Sequence, residues 1–266
     1  MITSRDNSLL RQIRAVRDGK ISDSIFVEGL RLAEEAVESG LHIQAAVFSE
    51  ELSRKPKATS VISRLQQVAD RVAPVSEKLL ESISFTKTPQ GVVLVTDKPQ
   101  HTSDVLGDNL GTTPLVVVLH EINNPVNVGA ILRTAEAAGV GGVVTTLNTS
   151  DPFSPKALRG AMGSAFRLPI WAGASYAEAI AWCHSRGIGP ICADGEANVS
   201  YIEVDWTAPI ALLVGRESNG FSTDELRLAG MAIKVPMRTP VESLNVSVAA
   251  GIILYEAARQ RGFPTM

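Results

Sequence analysis

Two arrangements of apolar residues alternate along the second half of this chain. Short unbroken runs, rich in β-branched residues, are typical of strands buried on both faces of a parallel sheet. They lie at 115–120, 142–146, 167–172, 189–194, 209–215 and 232–237. Segments with helical spacing lie between them, at 127–138, 155–162, 176–186, 222–229 and 244–260. This alternation of strand and helix predicts an α/β domain over residues 113–266.

The first half alternates in the same way with shorter elements. We predict helices at 6–17, 30–40 and 58–70, and strands at 24–29, 43–49 and 91–96. Residues 98–112 then carry Pro, Gly, Asp, Asn and Thr and show little apolar periodicity. We therefore predict a smaller α/β domain at 1–97 and a linker at 98–112, ahead of the larger domain.

Composition narrows the classes of partner. Hydrophobic residues make up 45% of the 266 residues and the net charge is −3, so RNA binding would have to rest on local basic patches. The two cysteines form neither a disulfide framework nor a zinc site, and we expect reduced thiols and no metal. The N-terminal residues lack the apolar core of a signal peptide, and no run reaches the ~18 apolar residues of a membrane helix. We expect a cytoplasmic protein without membrane contact.

Three stretches rich in glycine or small polar residues follow predicted strands, at 123–133, 215–220 and 235–251. Ligands of open α/β sheets bind beyond the carboxyl ends of the strands. Taken singly, each stretch is also consistent with an ordinary turn or helix cap, and we predict Ser243 as the N-cap of the last helix. The first stretch lacks G-x-G-x-x-G and G-K-[ST], which disfavours a dinucleotide-dependent oxidoreductase and a phosphate loop.

Together the three stretches are much more specific. They read N-x-G-x-x-x-R-T-A at 127–135, L-L-V-G-x-E-x-x-G at 212–220 and V-P-M…E-S-L-N-V-S-V-A-A-G at 235–251. In order and spacing they resemble the SpoU (TrmH-like) branch of the SPOUT RNA methyltransferases, over about residues 113–260. FVEG at 26–29 and TPQGVVLV at 88–95 resemble the L30e-like RNA-binding domain that precedes the catalytic domain in many relatives.

The resemblance implies both an architecture and a reaction. The catalytic domain would have a parallel sheet and a deep trefoil knot, and would form a homodimer through the three motifs. The reaction would transfer a methyl group from S-adenosylmethionine to a ribose 2′-hydroxyl of RNA. The N-terminal domain favours 23S ribosomal RNA by analogy. A transfer RNA methyltransferase and a catalytically inactive RNA-binding module remain alternatives.

Matching motif positions also implies site residues. The cofactor would be bound by Gly215, Val235, Pro236, Met237, Leu244 and Ile191, and the reaction carried by Arg133, Asn127, Glu217, Ser243 and Asn245. We also expect Ser164 and Arg167 close to the site. Arg133 would either take the hydroxyl proton, which needs a strongly perturbed pKa, or stabilise the developing alkoxide.

A basic stripe on the first helix is the main candidate for RNA contact. It comprises Arg11, Arg14, Arg17 and Lys20, which recur at three-residue spacing, and Lys87 near TPQG is a further candidate. A merely solvated helix face is the alternative. Few aromatic residues are present to stack on bases, so contact with RNA phosphates is favoured.

Overall fold

The chain divides into two compact units that do not follow one another simply in sequence. The computed structural model describes residues 2–216 and 220–263. The N-terminal unit comprises Met1–Pro99 together with Phe153–Arg167, and the C-terminal unit comprises Gln100–Pro152 and Leu168–Met266. The segment 153–167, which the sequence places inside the α/β domain, therefore packs with the N-terminal residues.

The N-terminal unit is built on a four-stranded sheet with strand order β1-β4-β2-β3. Strands β1 and β2 run antiparallel to β4, and β2 pairs parallel with β3. Numbered in order through the whole chain, its elements are α1 (Ser8–Arg17), β1 (Ser24–Glu28), α2 (Leu30–Glu38), β2 (Ile43–Ser49), α3 (Glu50–Ser53), α4 (Pro56–Val68), β3 (Val72–Val75), α5 (Glu77–Ile83), β4 (Val92–Asp97), α8 (Pro155–Ala161) and α9 (Ser164–Arg167).

One core of this unit lies between α1, α5 and the sheet. Leu10 and Ile13 are fully buried on α1, three residues apart on one helix face, and they join Val47 and Val95 from the sheet. The helix begins where the side chain of Asn7 accepts a hydrogen bond from the backbone N–H of Leu9. Of its basic residues, Arg11 is exposed, whereas Arg14 and Arg17 are partly buried beside this apolar face.

The C-terminal unit is built on a seven-stranded sheet with strand order β7-β6-β5-β10-β8-β11-β9. Every pair of strands described in it is parallel. Its elements are α6 (Ser103–Asp108), β5 (Leu115–Leu119), α7 (Pro125–Ala137), β6 (Gly142–Thr146), β7 (Ile170–Ala174), α10 (Tyr176–Ser185), β8 (Gly189–Ala193), β9 (Val199–Ser200), a 3₁₀ turn (Tyr201–Glu203), β10 (Ile210–Val214), α11 (Thr223–Ala229), β11 (Ala232–Lys234) and α12 (Val246–Gln260).

The predicted α/β class with a parallel sheet is confirmed. Strands β5, β6 and β10 are buried along their whole length, which explains their unbroken apolar runs. Helices α7 and α12 pack against each other. The trefoil knot stays a prediction.

Some element boundaries differ from the sequence reading for identifiable reasons. The predicted strand at 167–172 is β7 at Ile170–Ala174, because Arg167 still belongs to α9. Helix α12 begins at Val246 with Asn245 as its N-cap, so the assignment of that cap to Ser243 was wrong. The stretch read as a linker contains α6, whose Leu106 is fully buried. A six-residue helix with one buried side chain has no periodicity to detect.

Candidate active site

A cavity of about 780 Å³ opens in the C-terminal unit where three neighbouring strands end. Asp194 follows β8, Gly215 follows β10 and Val235 follows β11, and all three line the cavity. The segment that leads into α12, including Leu244 and Asn245, lines it as well. Because the strands are parallel, their carboxyl ends meet at one edge, where ligands of open α/β sheets bind.

The cavity has an apolar part formed by the sheet and by α11. Its lining includes Val214, Phe221, Leu226 and Ile233. A Cβ atom built on Gly215 would lie only 2.8 Å from the ring of Phe221. The glycine is therefore required sterically, since it lets the backbone pass directly over this ring.

The cavity also has a polar part that contains acidic side chains as well as the cations Arg216 and Lys234. Asp194, Glu196 and Glu242 line it together with Ser243 and Asn245. The Oδ1 atom of Asp194 accepts a hydrogen bond from the backbone N–H of Glu196 at 2.8 Å, which fixes the turn after β8. Apolar and charged surfaces thus face the same space, as suits a ligand with a flat apolar ring and several polar groups.

Asn245 links the cavity to α7. Its Oδ1 atom caps α12 by accepting hydrogen bonds from the backbone N–H of Ser247 at 2.9 Å and from the Ser247 hydroxyl at 2.6 Å. Its Nδ2 atom donates to Oδ1 of the buried Asn127 at 3.3 Å. Small polar residues interrupt this apolar segment because they form the helix cap and join the two helices.

The predicted cofactor residues are largely brought together. Gly215, Val235, Met237 and Leu244 line the cavity, whereas its described lining does not include Pro236 or Ile191. Ile191 lies inside β8 with its side chain buried. It contributes to the sheet core next to the cavity.

The predicted catalytic residues are brought together only in part. Ser243 and Asn245 line the cavity, and Asn127 contacts Asn245. Glu217 lies outside the described residues. Arg133 is exposed on α7 and is not among the described lining residues, and within the described part of the chain it has no ion-pair partner. Among the described residues, Ser243, Asn245 and Asn127 are thus brought together, and Arg133 is not among the residues that line the cavity.

The two residues expected near the site belong to the other unit. Ser164 is buried in α9, and Arg167 ends the same helix. Arg167 forms an ion pair with the buried carboxylate of Glu35, on α2 of the N-terminal unit. The described contact thus gives Arg167 a role in holding the segment 153–167 to this unit.

The basic stripe on α1 is partly engaged in structural contacts. Arg17 donates to the carbonyl oxygens of Ser82 and Ser84 and pairs with Asp18. Arg14 donates to the carbonyl oxygen of Arg5 at 2.6 Å. Arg11 and Lys20 are exposed, and the described residues offer neither of them an ion-pair partner. The free positive charge of the stripe is smaller than the sequence suggests.

A buried polar network beside the cavity was missed by the sequence analysis. His120, directly after β5, places Nε2 2.8 Å from Oε1 of Glu225 and Nδ1 3.0 Å from Oγ1 of Thr146. Arg216, a cavity-lining residue, pairs with Glu225 and also, through Nε, with Glu121 at 2.7 Å. The network ties the start of the loop after β10 to β5 and α11. A histidine at the carboxyl end of a buried strand was the available signal.

The ionisation of Glu225 follows from these contacts. Burial by itself raises the pKa of this carboxyl group. Hydrogen bonds from the backbone and hydroxyl of Ser222 and from His120 outweigh that effect, and the net pKa is lowered. Glu225 is therefore charged at neutral pH, which suits its pairing with Arg216.

The described residues contain no group of three or more His, Cys, Asp or Glu side chains arranged to hold a metal ion. Among the described helices, none is long and apolar enough to cross a membrane.

The parallel sheet and the cavity at its carboxyl edge define an α/β protein that binds a small-molecule cofactor. Comparison with known families then identifies the family. Residues 114–255 match the SpoU rRNA Methylase family, and residues 9–94 match the MRM3-like substrate binding domain. The chain belongs to the SpoU rRNA methylase family, which confirms the resemblance carried by the three motifs.

Named relatives match over most of their length. A protein of Synechocystis sp. named as an uncharacterized tRNA/rRNA methyltransferase is 32% identical over 98% of this chain and 94% of its own. A 23S rRNA (guanosine-2′-O-)-methyltransferase of Vibrio vulnificus is 30% identical over 84% of this chain and 96% of its own. Among solved structures, an AdoMet-bound rRNA methyltransferase from Sinorhizobium meliloti has a TM-score of 0.84 and 31% identity, with 97% of each chain covered. The SpoU methyltransferase AviRb from Streptomyces viridochromogenes, in complex with AdoMet, has a TM-score of 0.85 and 27% identity, over 96% of this chain and 98% of its own.

Proposed function

We propose that this protein transfers a methyl group from S-adenosylmethionine to a ribose 2′-hydroxyl of 23S ribosomal RNA, in the cytoplasm. The observation that carries the proposal is the cavity, which brings Gly215, Leu244 and Asn245 from two sequence motifs to one edge of the sheet. Relatives named for 2′-O-methylation of 23S rRNA, and related structures that contain AdoMet, support it.

The cavity residues fit this cofactor. A volume of about 780 Å³ lies in the usual range for sites that bind drug-sized ligands. Phe221, Leu226 and Ile233 offer an apolar surface to an adenine ring, and Asp194 and Glu196 offer acceptors to hydroxyl and ammonium groups. When bound, the cofactor supplies a methyl group already activated on a positively charged sulfur.

The protein's task is then to position the ribose hydroxyl and raise its reactivity. A neutral hydroxyl is a poor nucleophile unless its proton is drawn away or its developing charge is stabilised. Ser243, in the cavity wall, and the hydrogen-bonded amides of Asn127 and Asn245 orient the hydroxyl. Arg133 stabilises the developing negative charge through the positive charge and the hydrogen-bond donors of its guanidinium group.

The exposed position of Arg133 on α7 supports an active site that is shared with a second copy of the chain. Arg133 follows Val126 by seven residues on α7 and shares its helix face, and Val126 is 54% exposed. On α12, Val248 and Tyr255 are likewise seven residues apart and about half exposed. Burial of this apolar surface would drive dimerisation. We propose that the homodimer forms through this face and brings Arg133 to the cavity of the partner subunit.

Methyl transfer from tritiated S-adenosylmethionine to 23S ribosomal RNA, followed by nucleoside analysis for 2′-O-methylation, tests the reaction. Transfer RNA in a parallel assay tests the other substrate class. Cofactor binding without transfer to either RNA would favour the inactive RNA-binding module. Arg133→Ala should lose most of the transfer while S-adenosylhomocysteine still binds, and near-wild-type turnover would contradict the assigned role.

Mixing two inactive variants tests whether the active site is shared with a second copy of the chain. Leu244→Arg should block the cavity but leave Arg133 intact, so neither this variant nor Arg133→Ala should be active alone. After unfolding and refolding together, about a quarter of the wild-type sites should be complete, because half of the dimers are mixed and each has one good site. No recovery of activity would contradict a shared site.

A further inference from the structure

A second cleft, of about 430 Å³, lies on the N-terminal unit, apart from the cofactor cavity. It is lined by Thr86, Lys87, Thr88, Pro89, Gln90 and Arg159. Five of these residues form the loop between α5 and β4, and the sixth comes from α8. The lining contains two cations, two hydroxyls and one side-chain amide, and no carboxylate among the described residues.

The loop is held in shape by a buried acid beneath it. Glu28, 7% exposed at the end of β1, accepts hydrogen bonds from the backbone N–H groups of Phe85 at 2.9 Å and Thr86 at 3.1 Å. It also accepts one from the Thr86 hydroxyl at 2.7 Å. These three hydrogen bonds fix the backbone at the start of the loop against β1. The loop therefore presents Lys87 from a fixed backbone.

Arg159 is held against the same unit. Ala157, Leu158 and Ala161 are buried on α8, leaving Arg159 exposed on the other side of the helix. The Glu35–Arg167 ion pair anchors the end of the segment 153–167. Two residues more than 70 positions apart in sequence thus line one cleft, an arrangement that no local motif could show.

The charges in the cleft are available to a ligand. Lys87 and Arg159 are exposed, and within the described chain neither has an ion-pair partner. Lysine offers a compact charge and arginine a planar fork of donors, and both bind phosphate oxygens. The described lining has no aromatic ring to stack on a base, so it suits a sugar–phosphate backbone rather than a base.

We propose that this cleft binds the phosphate backbone of the RNA substrate through Lys87 and Arg159, with the Thr88 hydroxyl and the Gln90 amide donating to phosphate or ribose oxygens. The inference rests on the proposed function only in taking RNA as the ligand. It places the RNA contact in the loop–α8 cleft, independently of the stripe on α1.

The test measures binding of a labelled transcript of complete 23S ribosomal RNA to the full-length protein over a range of salt concentrations. The double variant K87A/R159A should weaken binding by about tenfold or more and flatten the salt dependence, by roughly 0.7 in log–log slope for each lost phosphate contact. K87R/R159K keeps both charges and should retain most of the affinity. Affinity and slope unchanged in K87A/R159A would overturn the proposal.

A matched control distinguishes the loss of the cleft from a general loss of positive charge. R54A/K57A removes two exposed cations from the same unit, and neither has an ion-pair partner among the described residues. A loss of equal size in this control would overturn the cleft assignment. Thermal unfolding and S-adenosylhomocysteine binding report whether K87A/R159A is folded. Wild-type protein that binds the RNA through the cleft but transfers no methyl group would refute the proposed function and leave this inference standing.

Discussion

Asn245 allows the helix cap and the contact between α7 and α12 to be measured separately. Its side chain accepts from Ser247 to start α12 and donates to Asn127 at 3.3 Å. Loss of an N-cap costs about 1 kcal/mol. Loss of a neutral hydrogen bond costs about 1 kcal/mol more. Asn245→Ala removes both and should lower the free energy of unfolding by about 2 kcal/mol.

Asn245→Ser measures the loss of the hydrogen bond to Asn127 alone. Serine caps a helix about as well as asparagine, but its shorter side chain does not reach Asn127, so this variant should lose only about 1 kcal/mol. In an Asn127→Ala background, Asn245→Ala should likewise cost only the cap, about 1 kcal/mol. The difference between the cost of Asn245→Ala in the wild-type chain and in the Asn127→Ala background is the coupling energy between the two amides.

Urea unfolding followed by tryptophan fluorescence is the suitable assay. All three tryptophans of the chain, Trp171, Trp182 and Trp206, lie in the C-terminal unit, so their signal follows the unit that contains both amides. Protein concentration must be held constant, because dimerisation contributes to stability. The reasoning is refuted if Asn245→Ser is as unstable as Asn245→Ala, or if the cost of Asn245→Ala is the same with and without Asn127.

Three further predictions follow from burial and close contacts. Gly215→Ala should weaken S-adenosylhomocysteine binding in calorimetry, because its Cβ would lie 2.8 Å from Phe221 and displace the ring into the cavity; an unchanged Kd would contradict this. Cys183 and Cys192, whose pKa values are raised to about 12 by burial, should not react with a thiol reagent at pH 8 until the protein is unfolded, and rapid labelling of native protein would refute their burial. Hydrogen bonds to two aspartates raise the pKa of His42. The stabilising effect of these contacts should be present below the unfolded pKa of His42 and be lost as pH rises through its folded pKa. A titration midpoint of His42 at or below 6.5, measured by NMR, would exclude this raised pKa.

Sequence patterns predicted the parts of this fold in which local and tertiary preferences agree. The runs over β5, β6 and β10 lack polar alternation because both faces of the sheet are covered. The shared strand-end position of Gly215, Leu244 and Asn245 followed from the parallel topology together with the motif resemblance.

Other features depend on contacts that sequence does not encode locally. The His120–Glu225 contact joins residues 105 positions apart. The position of His120 after a buried strand and the capping-box position of Glu225 are visible in the sequence, but their contact is not. The cap of α12 was misplaced by two residues because serine and asparagine are almost equally good caps, and only the backbone geometry distinguishes them. Helix α8 reads as an amphipathic element of the α/β domain, and only its packing assigns it to the N-terminal unit.

The membership of Phe153–Arg167 in the N-terminal unit has a consequence for synthesis of the protein. Domains generally fold as units, N-terminal first, while the chain emerges from the ribosome. Here residues 1–99 emerge first but lack two helices of their unit until residue 167 has followed. By then β5, α7 and β6 of the other unit have also been synthesised, but β8 and β10 of the same sheet have not. The synthesis of the two units therefore overlaps, and part of the C-terminal unit is made before the N-terminal unit is complete.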